Sequence, residues 1–170
     1  MLRRVLPLRA IALLAHDEDG SVGIWRQRIL LQVRRLTLPL PLLRRITREI
    51  IALAASGAPT GVLIVVEAGA RMLPEEVRQA QRVMIEEIVA LPTVRIAPVI
   101  LGDDVPSTMN RTASRVLAMG SPRIRRFTAL PPAAAWLASE LEAIGASVPV
   151  PDLLEAMAQL RELPEAPPRP

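Results

Sequence analysis

Val62-Leu63-Ile64-Val65-Val66 begins a rhythm that decides the fold. A helical pattern follows from Pro74 to Leu91, then an apolar run from Val94 to Leu101, then a second helical pattern from Val105 to Met119. A third strand-like run, Arg123 to Leu130, leads into a helix from Pro131 to Ile144. Strand-like runs alternating with helical patterns indicate βαβ units and a sheet covered by helices.

Upstream, Ala10 to Ala15 is a short apolar run, and Asp17-Glu18-Asp19-Gly20 is a turn signal. Ser21 to Val33 is rich in Ile, Leu, Val and Trp, so the two runs read as a β-hairpin. Leu36 to Leu40 is ambiguous and can extend the second strand. Pro41 suits the first turn of a helix, where its missing N–H is not needed. Leu43, Ile46, Ile50 and Leu53 repeat at helical spacing up to a stop at Gly57. The expected fold is α/β: an N-terminal β-hairpin followed by α-β-α-β-α-β-α, with a mixed sheet of about five strands.

The later helices carry readable inward stripes. These are Val77, Ala80, Met84, Ile88 and Leu91; then Met109, Ala113, Val116 and Leu117, stopped by Gly120; then Ala134, Leu137, Leu141 and Ile144. One domain over 1–147 and a proline-rich tail over 148–170 follow from this pattern. Within the tail, Asp152 to Leu163 reads as a short amphipathic helix with Leu153, Met157 and Leu160 on one side. A helix of three turns is marginal alone in water. Its acids favour docking near Arg44, Arg45 and Arg48, on this chain or on a second copy in a homodimer; the alternative is a solvated tail. Pro164 to Pro170 is expected to be disordered.

Composition narrows the function classes. All 21 basic residues are arginine, and neither lysine, tyrosine nor cysteine occurs. Disulfide and thiolate chemistry are therefore excluded. The net charge of +4 is uneven, with a basic front and an acidic tail. Arginine reads as the solvating cation rather than as a nucleic-acid surface, because single-strand binding interleaves basic residues with stacking aromatics and only Trp25, Phe127 and Trp136 are aromatic. Arg9 interrupts the apolar region of a would-be signal peptide, and the uncharged stretch Ile50 to Val66 is broken by Ser56-Gly57-Ala58-Pro59. A soluble, cytoplasmic protein without a membrane span is expected.

The phrase Arg125-Arg126-Phe127-Thr128-Ala129-Leu130-Pro131-Pro132-Ala133-Ala134-Ala135-Trp136-Leu137, with the strand Val94 to Gly102 and the order of elements, resembles the STAS-like superfamily. These are the anti-sigma-factor antagonists and relatives with a fold akin to CRAL-TRIO lipid-transfer domains. The resemblance covers about residues 10–145. It implies a non-enzymatic module of bacterial signalling that binds a protein partner. Its lipid-transfer side implies, as an alternative, a carrier of a small apolar ligand. Switch members of the family carry a Ser or Thr in the loop after the central strand. Here that loop is Glu67-Ala68-Gly69-Ala70-Arg71-Met72-Leu73, without a hydroxyl, which removes the usual phosphorylation site.

No catalytic, cofactor or metal site is expected. Glu67, Asp103 and Asp104 each follow an apolar strand, where ligands of parallel sheets bind, and three carboxylates there suit Mg²⁺ in a receiver-like domain. The competing reading makes Asp103 and Asp104 an N-cap for the next helix. His16 is the only histidine, beside a turn and with no nucleophile assigned to it. The candidate partner surface joins Arg71 and Met72 of the loop to Ser107, Thr108, Asn110 and Arg111 at the start of the helix.

Overall fold

The structure, a computed structural model, describes residues 11–118 and 121–164, with the side chains of 113–118 excepted. Expectations for the apolar start of the chain, for Gly120, for the inward positions Ala113, Val116 and Leu117, and for residues 165–170 lie outside the described residues. Five strands run as β1 (Ile11–Asp17), β2 (Gly20–Trp25), β3 (Ile29–Arg34), β4 (Thr60–Val66) and β5 (Val94–Ile100). The helices are α1 (Leu40–Ala54), α2 (Glu75–Val89), α3 (Val105–Ala118), α4 (Leu130–Ala143) and α5 (Val150–Arg161). The sheet follows chain order, β1-β2-β3-β4-β5. The first three strands pair antiparallel, and β3, β4 and β5 pair parallel. The fold is thus α/β with a mixed sheet. Among the described residues no helix is long and apolar enough to cross a membrane.

The expected hairpin is a three-stranded meander. Ser21 to Val33 is not one strand: Trp25 pairs with Ile29 across a turn at Arg26 and Gln27. Both turn residues have positive φ, 51° and 54°. Side chains other than Gly, Asn and Asp rarely adopt that region, at a cost of about 1 kcal/mol or more each. Arg26 recovers part of this, with its guanidinium 4.6 Å from the centre of the Trp25 ring and an oxygen of Asp152 at 2.7 Å. After β3 the chain leaves the sheet, and the Leu36 carbonyl accepts a hydrogen bond from the Arg71 N–H.

The run Arg123 to Leu130 is a second correction. It meets β5 only at two isolated parallel bridges, Ile96 with Ile124 and Val99 with Phe127. Pro98 supplies the reason. The N–H and C=O of Ile96 both engage this segment, so the next position facing it is Pro98, which has no N–H to donate. The ladder skips that rung, and a full sixth strand does not form.

Alternation along the strands divides the core. Leu30, Val62 and Ile96 pack beneath α1 and α2 with Leu43, Ile46, Ile50, Met84 and Ile88. Leu31, Leu63, Val65, Ala97 and Val99 face the opposite way, against Leu137 and Leu141 of α4. Two βα crossovers progressing the same way along a sheet place α1 and α2 on one side, since each is right-handed. Both faces are therefore covered, which is why these strands read as unbroken apolar runs.

The tail helix belongs to this core. Leu153, Met157 and Leu160 are fully buried in the same cluster as α4. Burial of such side chains stabilises by about 1.5–3 kcal/mol each, enough to order a helix that is marginal alone. It does not sit near Arg44, Arg45 and Arg48 of α1, which lies on the other face. Asp152 instead pairs with Arg26.

Candidate functional site

At the carboxyl ends of the parallel strands, the loop after β4 is fastened to the start of α3. Asp104 does this from both oxygens. Its Oδ1 accepts the Ser107 N–H at 2.7 Å, an N-cap at the third helical residue, and its Oδ2 accepts the Gly69 N–H at 3.0 Å. These amides, that of Ser107 first, hold the Asp104 carboxyl below the usual aspartate range. Gly102, at φ 83°, lets the two loops touch, since a Cβ there would lie 2.7 Å from that of Ala68.

The other carboxylates have separate tasks. Glu67 is held by Arg161 through Nε at 2.6 Å and Nη2 at 3.0 Å. Asp103 projects into solvent, 4.0 Å from Arg111. Among the described residues no three His, Asp or Glu side chains converge to hold a metal ion. His16 donates from Nε2 to the Pro164 carbonyl at 2.6 Å, and its Nδ1 is hydrogen-bonded with the Ser21 hydroxyl at 2.9 Å.

The six residues expected on one outer surface divide into two sets. Arg71 and Thr108 are exposed, and Met72 and Arg111 are half-buried. Arg111 donates to the Thr108 hydroxyl and the Gly102 carbonyl. Ser107 and Asn110 are buried and face inward, so neither belongs to an outer surface. Met109, expected inward, is instead 46% exposed, one turn from Val105 at 72%.

Asn110 leads to a feature that sequence reasoning missed. Its Oδ1 accepts from Arg34 Nη2 at 2.8 Å, and its Nδ2 donates to the Ala70 carbonyl at 2.8 Å. Arg34 ends β3 and is only 6% exposed. Among the described residues no carboxylate pairs with it, and its Nε is buried without an acceptor. Burial lowers its pKa to about 10. Holding the charge there at neutral pH costs roughly 3 kcal/mol.

Arg34 borders a cavity between the sheet and α2. One lobe, about 70 Å³, is also bounded by Met72, Arg78 and Asn110. The adjoining lobe, about 60 Å³, is walled by Leu43, Ile46, Met84 and Ile88. Gln32, Leu38, Ile64, Gln81 and Pro98 are common to both. Arg78 pairs with Glu75, and its Nε too is buried without an acceptor. Polar donors thus cluster at one end of an apolar space, the usual build of a small-molecule site. A wider open groove of about 620 Å³ lies between α1 and α2, bounded by Arg44, Arg48 and Val83. The signal in sequence for the cavity was slight: Gln32 and Arg34, on one side of an otherwise apolar strand.

Neither a protein-family model nor a curated protein matches this chain.

Proposed function

We propose that the chain is a non-enzymatic regulatory domain, a STAS-like module of the bacterial cytoplasm, which binds a small molecule between its sheet and α2. Arg34 carries this reading. A buried guanidinium without a counter-ion opposes folding, and its presence beside a cavity is accounted for by a ligand that supplies what the protein omits. Glu67, Asp104 and His16 each have structural partners, which supports binding rather than chemistry. The lobes are too small for a long acyl chain, so the ligand is small. An NMR screen of small metabolites tests the reading. The expected result is a compound that shifts Gln32, Ile64, Ile88 and Asn110 together. A screen that moves only surface residues sinks it.

A second reading, docking of a protein partner, is favoured by the exposed pair Val105 and Met109, with the exposed Thr108 on the same helix. Apolar anchors ringed by polar groups are the usual build of such surfaces. Affinity capture with wild type and with Val105→Asp/Met109→Asp checks it. Identical recoveries from both remove this surface from consideration.

A further inference from the structure

Resting on the small-ligand reading, we infer that the ligand is a monocarboxylate with a short apolar chain, its carboxylate on Arg34 and its chain between α1, α2 and the sheet. Charge sets the head group. Of the two arginines that border the polar lobe, Arg78 is offset by Glu75, and Arg34 has no acid. One uncompensated cation calls for one negative charge. The planar guanidinium, with Nη2 on Asn110 and Nε uncommitted, matches a carboxylate in geometry as well as in charge.

A phosphate dianion fits less well. The first turn of α2 carries Glu75 and Glu76, and that of α3 is already capped by Asp104. Both helix starts that would favour a dianion are thus occupied by acids.

Volume sets the tail. Beyond Gln32 and Gln81 the wall is Ile46, Met84 and Ile88, with no charged side chain among the lining residues of that lobe. The two lobes, about 70 and 60 Å³, compare with the ~150 Å³ of an apolar cavity that admits benzene. That is room for roughly six to eight heavy atoms with the carboxylate counted, the size of butanoate to hexanoate.

The test uses wild-type protein with butanoate, hexanoate, octanoate and dodecanoate, and with hexan-1-ol and inorganic phosphate as controls, followed by NMR and calorimetry. Hexanoate is expected to bind about tenfold or more tighter than hexan-1-ol, the worth of one charge-assisted hydrogen-bonded contact. Affinity should rise from butanoate to hexanoate and fall by dodecanoate. Arg34→Met should remove the preference for hexanoate and leave the binding of hexan-1-ol within about twofold. The wild-type series decides the matter even if that variant fails to fold. Equal binding of hexanoate and hexan-1-ol, or displacement of hexanoate by phosphate, overturns the carboxylate and leaves the small-ligand reading standing. If neither hexan-1-ol nor any carboxylate moves Gln32, Ile64 and Ile88, both fall.

Discussion

Adjacent residues of the same strands face two different environments. Leu31, Leu63 and Val65 point at α4 and α5 and are sealed there without access to water. One step along, Gln32, Ile64 and Arg34 point at α2 and border a cavity. The two lobes of that cavity and the groove between α1 and α2 lie on this second side. Dense packing gains stability, whereas a cavity and an unpaired charge lose it. In the proposed function, the sheet separates the work of holding the fold from the work of binding. One face supplies the stability that the other gives up.

The comparison breaks first at α5. Met157→Ala is expected to cost about 2–5 kcal/mol, the range for truncating a fully buried side chain. Urea denaturation measures it, and a loss below about 1 kcal/mol would place α5 outside the sealed face. On the other face the sign reverses. Arg34→Met should stabilise the unliganded protein by about 1–4 kcal/mol, since an unpaired buried charge gives way to an apolar chain of similar length. A destabilised variant would mean that Arg34 is satisfied where it stands.

A finer contrast uses one methyl group. Val65→Ile, on the sealed side, is expected to cost about 1–3 kcal/mol through overpacking. Val62→Ile, beside the cavity, should change stability by no more than about 0.5 kcal/mol. Equal costs from thermal unfolding would show that the faces are packed alike. The smallest effect concerns the rim. Asp104 has its carboxyl lowered by the Ser107 and Gly69 amides, so its contribution is whole above the ordinary aspartate value, about 3.9, and is lost as pH falls through the lowered one. The amide resonances of Ser107 and Gly69 should move together in acid titration. Titration at or above the ordinary value would show that the capping hydrogen bonds are absent.

The strands themselves and the helix over the sealed face are largely readable from local sequence. Val62 to Val66, Val94 to Leu101 and the stripe of Ala134, Leu137 and Leu141 declare themselves by periodicity and β-branching, and the structure has β4, β5 and α4 there. The cavity on the other face is not readable in this way. Its key residue, Arg34, is one arginine among many, and its burial depends on the register of β3. A turn made by Arg26 and Gln27, without glycine or asparagine, concealed the boundary that sets that register. Asn110 and Met72 read in sequence as parts of an outer surface, whereas in the structure both border the cavity. That Asn110 turns inward follows from its hydrogen bonds to Arg34 and Ala70, distant partners that no local pattern encodes. The docking of α5 depends in the same way on β2 and β3, well over a hundred residues upstream.

That distance gives α5 a further consequence, measured in time. A chain is made from its N-terminus at about 5–20 residues per second. The sheet is complete at Ile100, but the last buried residue of α5 is Leu160. For roughly 3–12 seconds of synthesis, β2 and β3 are finished strands whose α5 cover has not been made, whereas β4 and β5 wait only for α4. The nascent protein thus keeps the β2 and β3 part of this face open longest, and Met157 and Leu160 are among the last residues to close it.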